Sequence, residues 1–280
     1  MILTKGLLLL AGGLIAGILA GFLGIGGGTI LVPLLVALGY TPVKSVATSG
    51  LAILITSTSG TVQNYRMGLI HPRRVLSLGL PALLTAQGGV WLANLTKGKP
   101  YVLLAAFGLL LWLNIYLIEL KNQLTLARGE GEERIVDGAG NPIEPIAGGT
   151  VPRIHPTIAR LGTGGAAGLL AGLFGVGGGV IMVPLQMLLL GEPIKVAIQT
   201  SLGVIIITAI SACIGHTLSG NILPVEGLLL GVGGLLGAQI STRLLPRLPD
   251  EIISLAFRLF LGILSIYIFW QAWENYRGSP

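Results

Sequence analysis

Ten apolar runs cover the chain, in two groups of five. In the first group they fall at about 7–23, 29–39, 46–65, 75–95 and 101–119. In the second they fall at about 158–174, 180–191, 196–218, 225–242 and 252–273. The apolar residues are continuous rather than alternating, which is the pattern of helices and not of an outer-membrane barrel. A membrane span needs about 20 apolar residues. The second run of each group is too short to cross as a straight helix. Each of those short runs follows a cluster of glycines, so the first two runs of each group are expected to form a broken or re-entrant pair. The expected fold is therefore an all-α polytopic membrane protein.

The stretch between the groups is different in kind. It carries Arg128-Gly-Glu-Gly-Glu-Glu-Arg134 and the turn-forming pairs Asp137-Gly138 and Asn141-Pro142. It reads as an aqueous linker. The organisation expected is a first transmembrane repeat over 1–120, a polar linker over 121–157 and a second repeat over 158–280.

The two groups repeat one another. Gly21-Phe-Leu-Gly-Ile-Gly-Gly-Gly-Thr-Ile-Leu-Val-Pro-Leu34 recurs 151 positions later as Gly172-Leu-Phe-Gly-Val-Gly-Gly-Gly-Val-Ile-Met-Val-Pro-Leu185. Pro42-Val-Lys44 matches Pro193-Ile-Lys195 at the same offset. After a one-residue slip, Thr48-Ser49 matches Thr200-Ser201, and Asn64 aligns with His216.

Composition agrees with this reading. Only 10% of the 280 residues are charged, against the roughly 25% of a soluble domain. Glycine accounts for 44 residues without a collagen period. The net charge of +6 sits in short loops, where it sets orientation rather than binding nucleic acid. The loop with Arg66, Arg73 and Arg74 is expected to be cytoplasmic. Its repeat mate, Ser219 to Pro224, has no Lys or Arg and is expected outside. The loop with Arg243 and Arg247 would be inside, and its mate with Lys97 and Lys99 outside. Equivalent loops on opposite sides predict inverted-topology repeats, with both termini outside and the linker in the cytoplasm.

The glycine clusters carry the candidate chemistry. Three consecutive glycines gain an unbroken helix nothing, since each costs about 1 kcal/mol against alanine. Gly26, Gly27 and Gly28 are thus a candidate break, as are Gly177, Gly178 and Gly179. A break at membrane depth is tolerated where it is buried in protein or lines a cavity. The new helices start at Thr29 and Val180 with unpaired N–H groups and a partial positive charge, which together favour an anion. Close helix packing is the competing reading. It is preferred for scattered glycines such as Gly12, Gly13, Gly231, Gly233 and Gly234.

Polar residues mark the third run of each group: Thr48, Ser49, Thr56, Ser57, Thr58, Ser59, Gln63 and Asn64, then Gln199, Thr200, Ser201, Thr208, Ser211 and His216. Most can bond to their own helix. Thr48, Ser49, Thr200 and Ser201 recur at matching positions and are the better candidates for an anion's shell. His216 is the histidine placed inside a run and a candidate proton carrier. Asn64 and Gln199 join it as a candidate polar gate. Lys44 and Lys195 would attract anions at the two entrances or serve as interfacial lysines. Trp91, Trp112, Trp270 and Trp273 suit an aromatic belt. No Asp or Glu lies deep in a run, and no metal-binding, nucleotide-binding or hydrolase motif is present. Neither an enzyme nor a cofactor is expected.

The paired G-x-x-G-x-G-G-G-x-[IL]-x-V-P segments, each with a following Pro-x-Lys and Thr-Ser pair, resemble the TauE/SafE family of sulfite and organosulfonate exporter-like permeases. The resemblance covers both halves and omits the linker. The family motif falls on Gly24, Gly26, Gly27, Gly28, Pro33, Thr48 and Ser49, and on Gly175, Gly177, Gly178, Gly179, Pro184, Thr200 and Ser201. It implies export of sulfite, sulfoacetate or a related anion across a bacterial inner membrane, driven by the proton gradient. The expected partners are a small anion and the lipid bilayer, with homodimerisation left open. A passive anion channel and a non-transporting scaffold are the alternatives.

Overall fold

A computed structural model describes residues 2–96, 100–127 and 155–277. Among these all regular structure is helical. In the first half α1 is Ile2–Leu23, α2 Gly28–Ala37, α3 Pro42–Arg66, α4 Pro72–Leu95 and α5 Pro100–Ala127. In the second, α6 is Pro156–Phe174, α7 Gly179–Leu189, α8 Ile194–Leu218, α9 Pro224–Leu244 and α10 Asp250–Arg277, with a short 3-10 turn at Leu245–Arg247. Proline opens α3, α4, α6 and α9 in the first turn, where its missing N–H has no intrahelical acceptor to lose.

Seven helices are long and apolar enough to cross a membrane: α1, α3, α4, α6, α8, α9 and α10. The two short runs are the short helices α2 and α7, of 10 and 11 residues. One boundary differs from the sequence reading. Helix α5 continues through Ala127, so the first residues of the expected linker are helical. Lys121, Gln123 and Leu124 are good helix formers, and polarity alone does not end a helix. The rest of the linker, 128–154, lies outside the described residues, as do Lys97 and Lys99.

The halves are interlocked rather than side by side. Helix α1 packs on α9 and α6 on α4; α3 packs on α9 and α8 on α4. Helices α3 and α8 pack on each other, and α5 packs on α10. Each contact thus has a counterpart with the halves exchanged. Small residues make it close: Gly13 and Gly17 meet the backbone of α9 at Leu230 and Gly234, and Gly168 and Gly172 meet α4 at Ala82 and Ala86. This is the small-xxx-small packing of membrane helices, as expected for the scattered glycines. The outward faces are apolar, and Trp91, Trp112, Trp270 and Trp273 are all exposed on them. Among the described residues no Asp, Glu, Lys or Arg is buried.

Candidate functional site

The glycine triplets break the chain as their sequence requires. Helix α1 ends at Leu23 and α2 starts at Gly28; α6 ends at Phe174 and α7 starts at Gly179. The N-caps are Gly27 and Gly178, with φ of 84° and 77°. That left-handed backbone is costly to any residue with a Cβ.

The two breaks meet. A Cβ on Gly28 would collide with the Gly175 carbonyl, and one on Gly179 with the Gly24 carbonyl. Each short helix therefore begins against the broken segment of the other half. Two isoleucines fill the space between. Cβ atoms built on Gly26 and Gly177 would each fall within 3.5 Å of both Ile53 and Ile205. Ile53 comes from α3 and Ile205 from α8, and both are fully buried. Ile53 and Ile205 thus form an apolar closure between the two glycine breaks, beside the first residues of α2 and α7.

The Thr-Ser pairs stand at the breaks, and the serine hydroxyls have protein partners. The sequence reading gives their hydroxyls to an anion. In the structure Ser49 Oγ lies 2.8 Å from both Gly175 O and Val46 O of its own helix. Ser201 Oγ lies 2.7 Å from Gly24 O and 2.8 Å from Ile198 O, so each hydroxyl proton is shared between a local carbonyl and one of the other half. The physical reason lies in the break. Gly24 and Gly175 stand past the last turns of α1 and α6, so their carbonyls receive no helical N–H. A buried carbonyl without a donor is costly, and the serines supply one. Thr48 Oγ1 is also engaged, accepting the Leu223 N–H at 3.1 Å. Thr200 is buried without reaching a glycine carbonyl, and Gln199 is likewise buried. Thr29 is fully buried in the first turn of α2, and its hydroxyl has no hydrogen-bond partner among the described residues. Val180 takes the matching place in α7.

His216 is held from two sides. Its Nε2 lies 3.2 Å from Gly172 O, and its Nδ1 lies 3.4 Å from Asn221 Nδ2. These contacts tie the ring to α6 and to the loop after α8. Asn64 holds the matching place on α3. It is fully buried, and neither side-chain atom has a partner among the described residues. The backbone ends alike at both: Leu69 N–H donates to Asn64 O and Asn221 N–H to His216 O, each at 3.0 Å.

The matched lysines are not alike. Lys195 pairs with Asp250 at 3.1 Å, which offsets its pull on an anion, whereas Lys44 is exposed. A cavity of about 300 Å³ lies beside that pair, lined by Pro193, Ile194, Asp250 and Arg258 among others. It carries both signs of charge, and none of the glycine-triplet residues lines it. The residues that sequence reasoning missed are Ile53 and Ile205. The 152-residue offset aligned them, but nothing distinguished them from other apolar positions.

These features define a polytopic helical membrane protein with two interlocked halves and a broken helix pair in each. Comparison with known proteins fixes the family. The family profile described as sulfite exporter TauE/SafE matches residues 9–268, and the chain belongs to that family of membrane transporters. A relative named probable membrane transporter protein YunE, from Bacillus subtilis, is 25% identical over 92% of this chain and 95% of its own. The probable membrane transporter protein MJ0441 of Methanocaldococcus jannaschii is 25% identical over 81% of this chain and 76% of its own. The sulfite exporter TauE/SafE family protein 1 of Arabidopsis thaliana is 28% identical over 38% of this chain and 24% of its own. No solved structure matches the chain.

Proposed function

We propose that this membrane transporter exports a small anion, a sulfur oxyanion such as sulfite or an organosulfonate such as sulfoacetate, across a bacterial inner membrane by alternating access. The observation that carries this reading is the meeting of two broken helices, α2 and α7, with their N-termini beside the Ile53–Ile205 closure. Two such ends supply N–H donors and partial positive charge to an anion in a region with no buried cation. Inverted-repeat transporters place substrate at such breaks, and the loop charges support inverted repeats here, with the linker cytoplasmic and both termini outside.

In this reading the anion site is built from Gly26–Gly28 with Thr29, and from Gly177–Gly179 with Val180. Thr48 and Thr200 stand beside it. Ser49 and Ser201 act as latches between the halves, and rocking one half against the other exchanges their bonds. His216 is assigned to proton coupling, with Asn64 and Gln199 as a polar gate.

Flux of radiolabelled sulfite, sulfoacetate, sulfate and taurine in proteoliposomes, at several imposed pH gradients, tests this. Saturable flux that rises with the proton gradient is the expected result. Flux indifferent to the gradient would identify a passive channel, and no flux of any tested anion would count for a non-transporting scaffold.

A further inference from the structure

Five side chains carry buried polar atoms and make no hydrogen bond to any described residue: Thr29, Ser57, Thr61, Asn64 and Thr163. Four belong to the first half. Three of these share one face of α3, because 57, 61 and 64 follow the i, i+4, i+7 spacing. Ile53 lies one turn earlier on the same face. Thr29 opens α2 next to Gly28, where a Cβ would sit 2.5 Å from Ile53 Cδ1.

The duplication provides a comparison within one molecule. The repeat mates of Thr29, Ser57, Thr61 and Asn64 are Val180, Ala209, Cys213 and His216. Two of these are aliphatic, one is a weakly bonding thiol, and the histidine is bonded at both ring nitrogens. The fold therefore forms the matching helices without free polarity at these places. A buried polar group left unanswered is a net cost to stability. The second half has one such side chain among the described residues, Thr163 on α6, whereas the first half gathers four on α2 and one face of α3, and that gathering points to a ligand.

We propose that Thr29, Ser57, Thr61 and Asn64 line a polar half-passage for the transported anion, running from the Ile53–Ile205 closure to the Arg66 end of α3, while the matching side, at Val180, Ala209 and Cys213, stays closed to it. This rests on the anion-transport reading and adds the loading side. Three hydroxyls and an amide NH2 are neutral donors suited to an oxyanion's several acceptors. Arg66 and Arg73 are exposed at the mouth of this side and raise the local anion concentration there. The loop at the His216 end, Ser219 to Pro224, has no cation.

Thiol labelling tests the passage without reference to flux. Ser57→Cys, Thr61→Cys and Asn64→Cys, each in a Cys213→Ala background, are exposed to a charged methanethiosulfonate reagent, which needs a hydrated thiolate. Expected is labelling about ten-fold or more faster than at Ala209→Cys or at Cys213 of the unmodified protein, with sulfoacetate, which does not consume the reagent, slowing it. A second variant copies the other half: Thr29→Val with Ser57→Ala and Thr61→Cys. Its sulfite flux should fall about ten-fold or more, with a Tm equal to or above that of the unmodified protein because orphaned polar groups are gone. Equal labelling of the two halves, inert thiols on α3, retained flux or a lowered Tm would each overturn the proposal. If the unmodified protein moves no anion, the transport reading fails and the labelling still decides whether the passage exists.

Discussion

Ser201 on α8 donates its hydroxyl to the carbonyl of Gly24, 177 residues earlier, at 2.7 Å. Ser49 repeats the bond to Gly175 with the halves exchanged. Each serine closes the backbone gap that the other half's glycine break creates. Alanine at either position would leave a buried carbonyl without a donor. The expected loss is about 1 kcal/mol for each single variant, within the range for buried hydrogen bonds in membrane proteins. Chemical unfolding in detergent measures it. Near-equal losses for Ser49→Ala and Ser201→Ala are expected, and no loss in either would show that the carbonyls find other donors.

A second expectation concerns Gly27 and Gly178, the N-caps of α2 and α7. Their φ values of 84° and 77° place them in the left-handed region. A Cβ on Gly27 would also lie 2.9 Å from Ala16 O. Alanine there should cost about 1–2 kcal/mol from backbone strain alone, and more with the contact. Thermal unfolding of Gly27→Ala and Gly178→Ala should show reduced stability with loss of transport. A Gly27→Val protein of unchanged stability and full flux would remove the break from the functional site.

How much of this was readable in the sequence depends on the kind of interaction. The broken pairs were legible because three glycines in an apolar run have few uses, and the duplication showed them twice. The partners of Ser49 and Ser201 were not, because a serine's acceptor depends on which carbonyl tertiary packing brings within 3 Å. Thr61 was passed over and Ser57 not singled out for the same reason: a Ser or Thr in a helix usually bonds to the preceding turn, as Thr56 Oγ1 does to Ala52 O at 2.9 Å. The extent of α5 to Ala127 was hidden because polarity marked the linker's start, while helix propensity carried on past it.

The isoleucine closure leads to a third expectation. Ile53 and Ile205 are fully buried between the two breaks. Truncation of either to alanine removes packing and opens the centre. A stability loss of about 2–5 kcal/mol is usual for such a change; Ile53→Val and Ile205→Val, at about 0.5–1.5 kcal/mol, are the gentler pair. Among variants that still fold, passive anion leak in the absence of any gradient should rise, most in Ile53→Ala with Ile205→Ala. Leak measured by light scattering of loaded vesicles reports this directly. An unchanged leak in a folded double variant would place the permeation barrier elsewhere.

His216 yields the last expectation, and its repeat mate supplies the substitution. Asparagine is what the first half places at this position, so His216→Asn puts a side chain the fold already accommodates into a site ringed by Gly172 O and Asn221 Nδ2. The amide is shorter than the ring and cannot span both partners, just as Asn64 reaches none among the described residues in the first half. One bond is therefore lost, and a stability cost of about 1–2 kcal/mol is expected. Titration is lost as well. If His216 carries the coupling proton, sulfite flux in His216→Asn should persist down the sulfite gradient yet no longer rise with an imposed pH gradient. Flux that keeps the full pH-gradient response would make His216 a structural tie between α8 and α6, and would move proton coupling to another group or remove it.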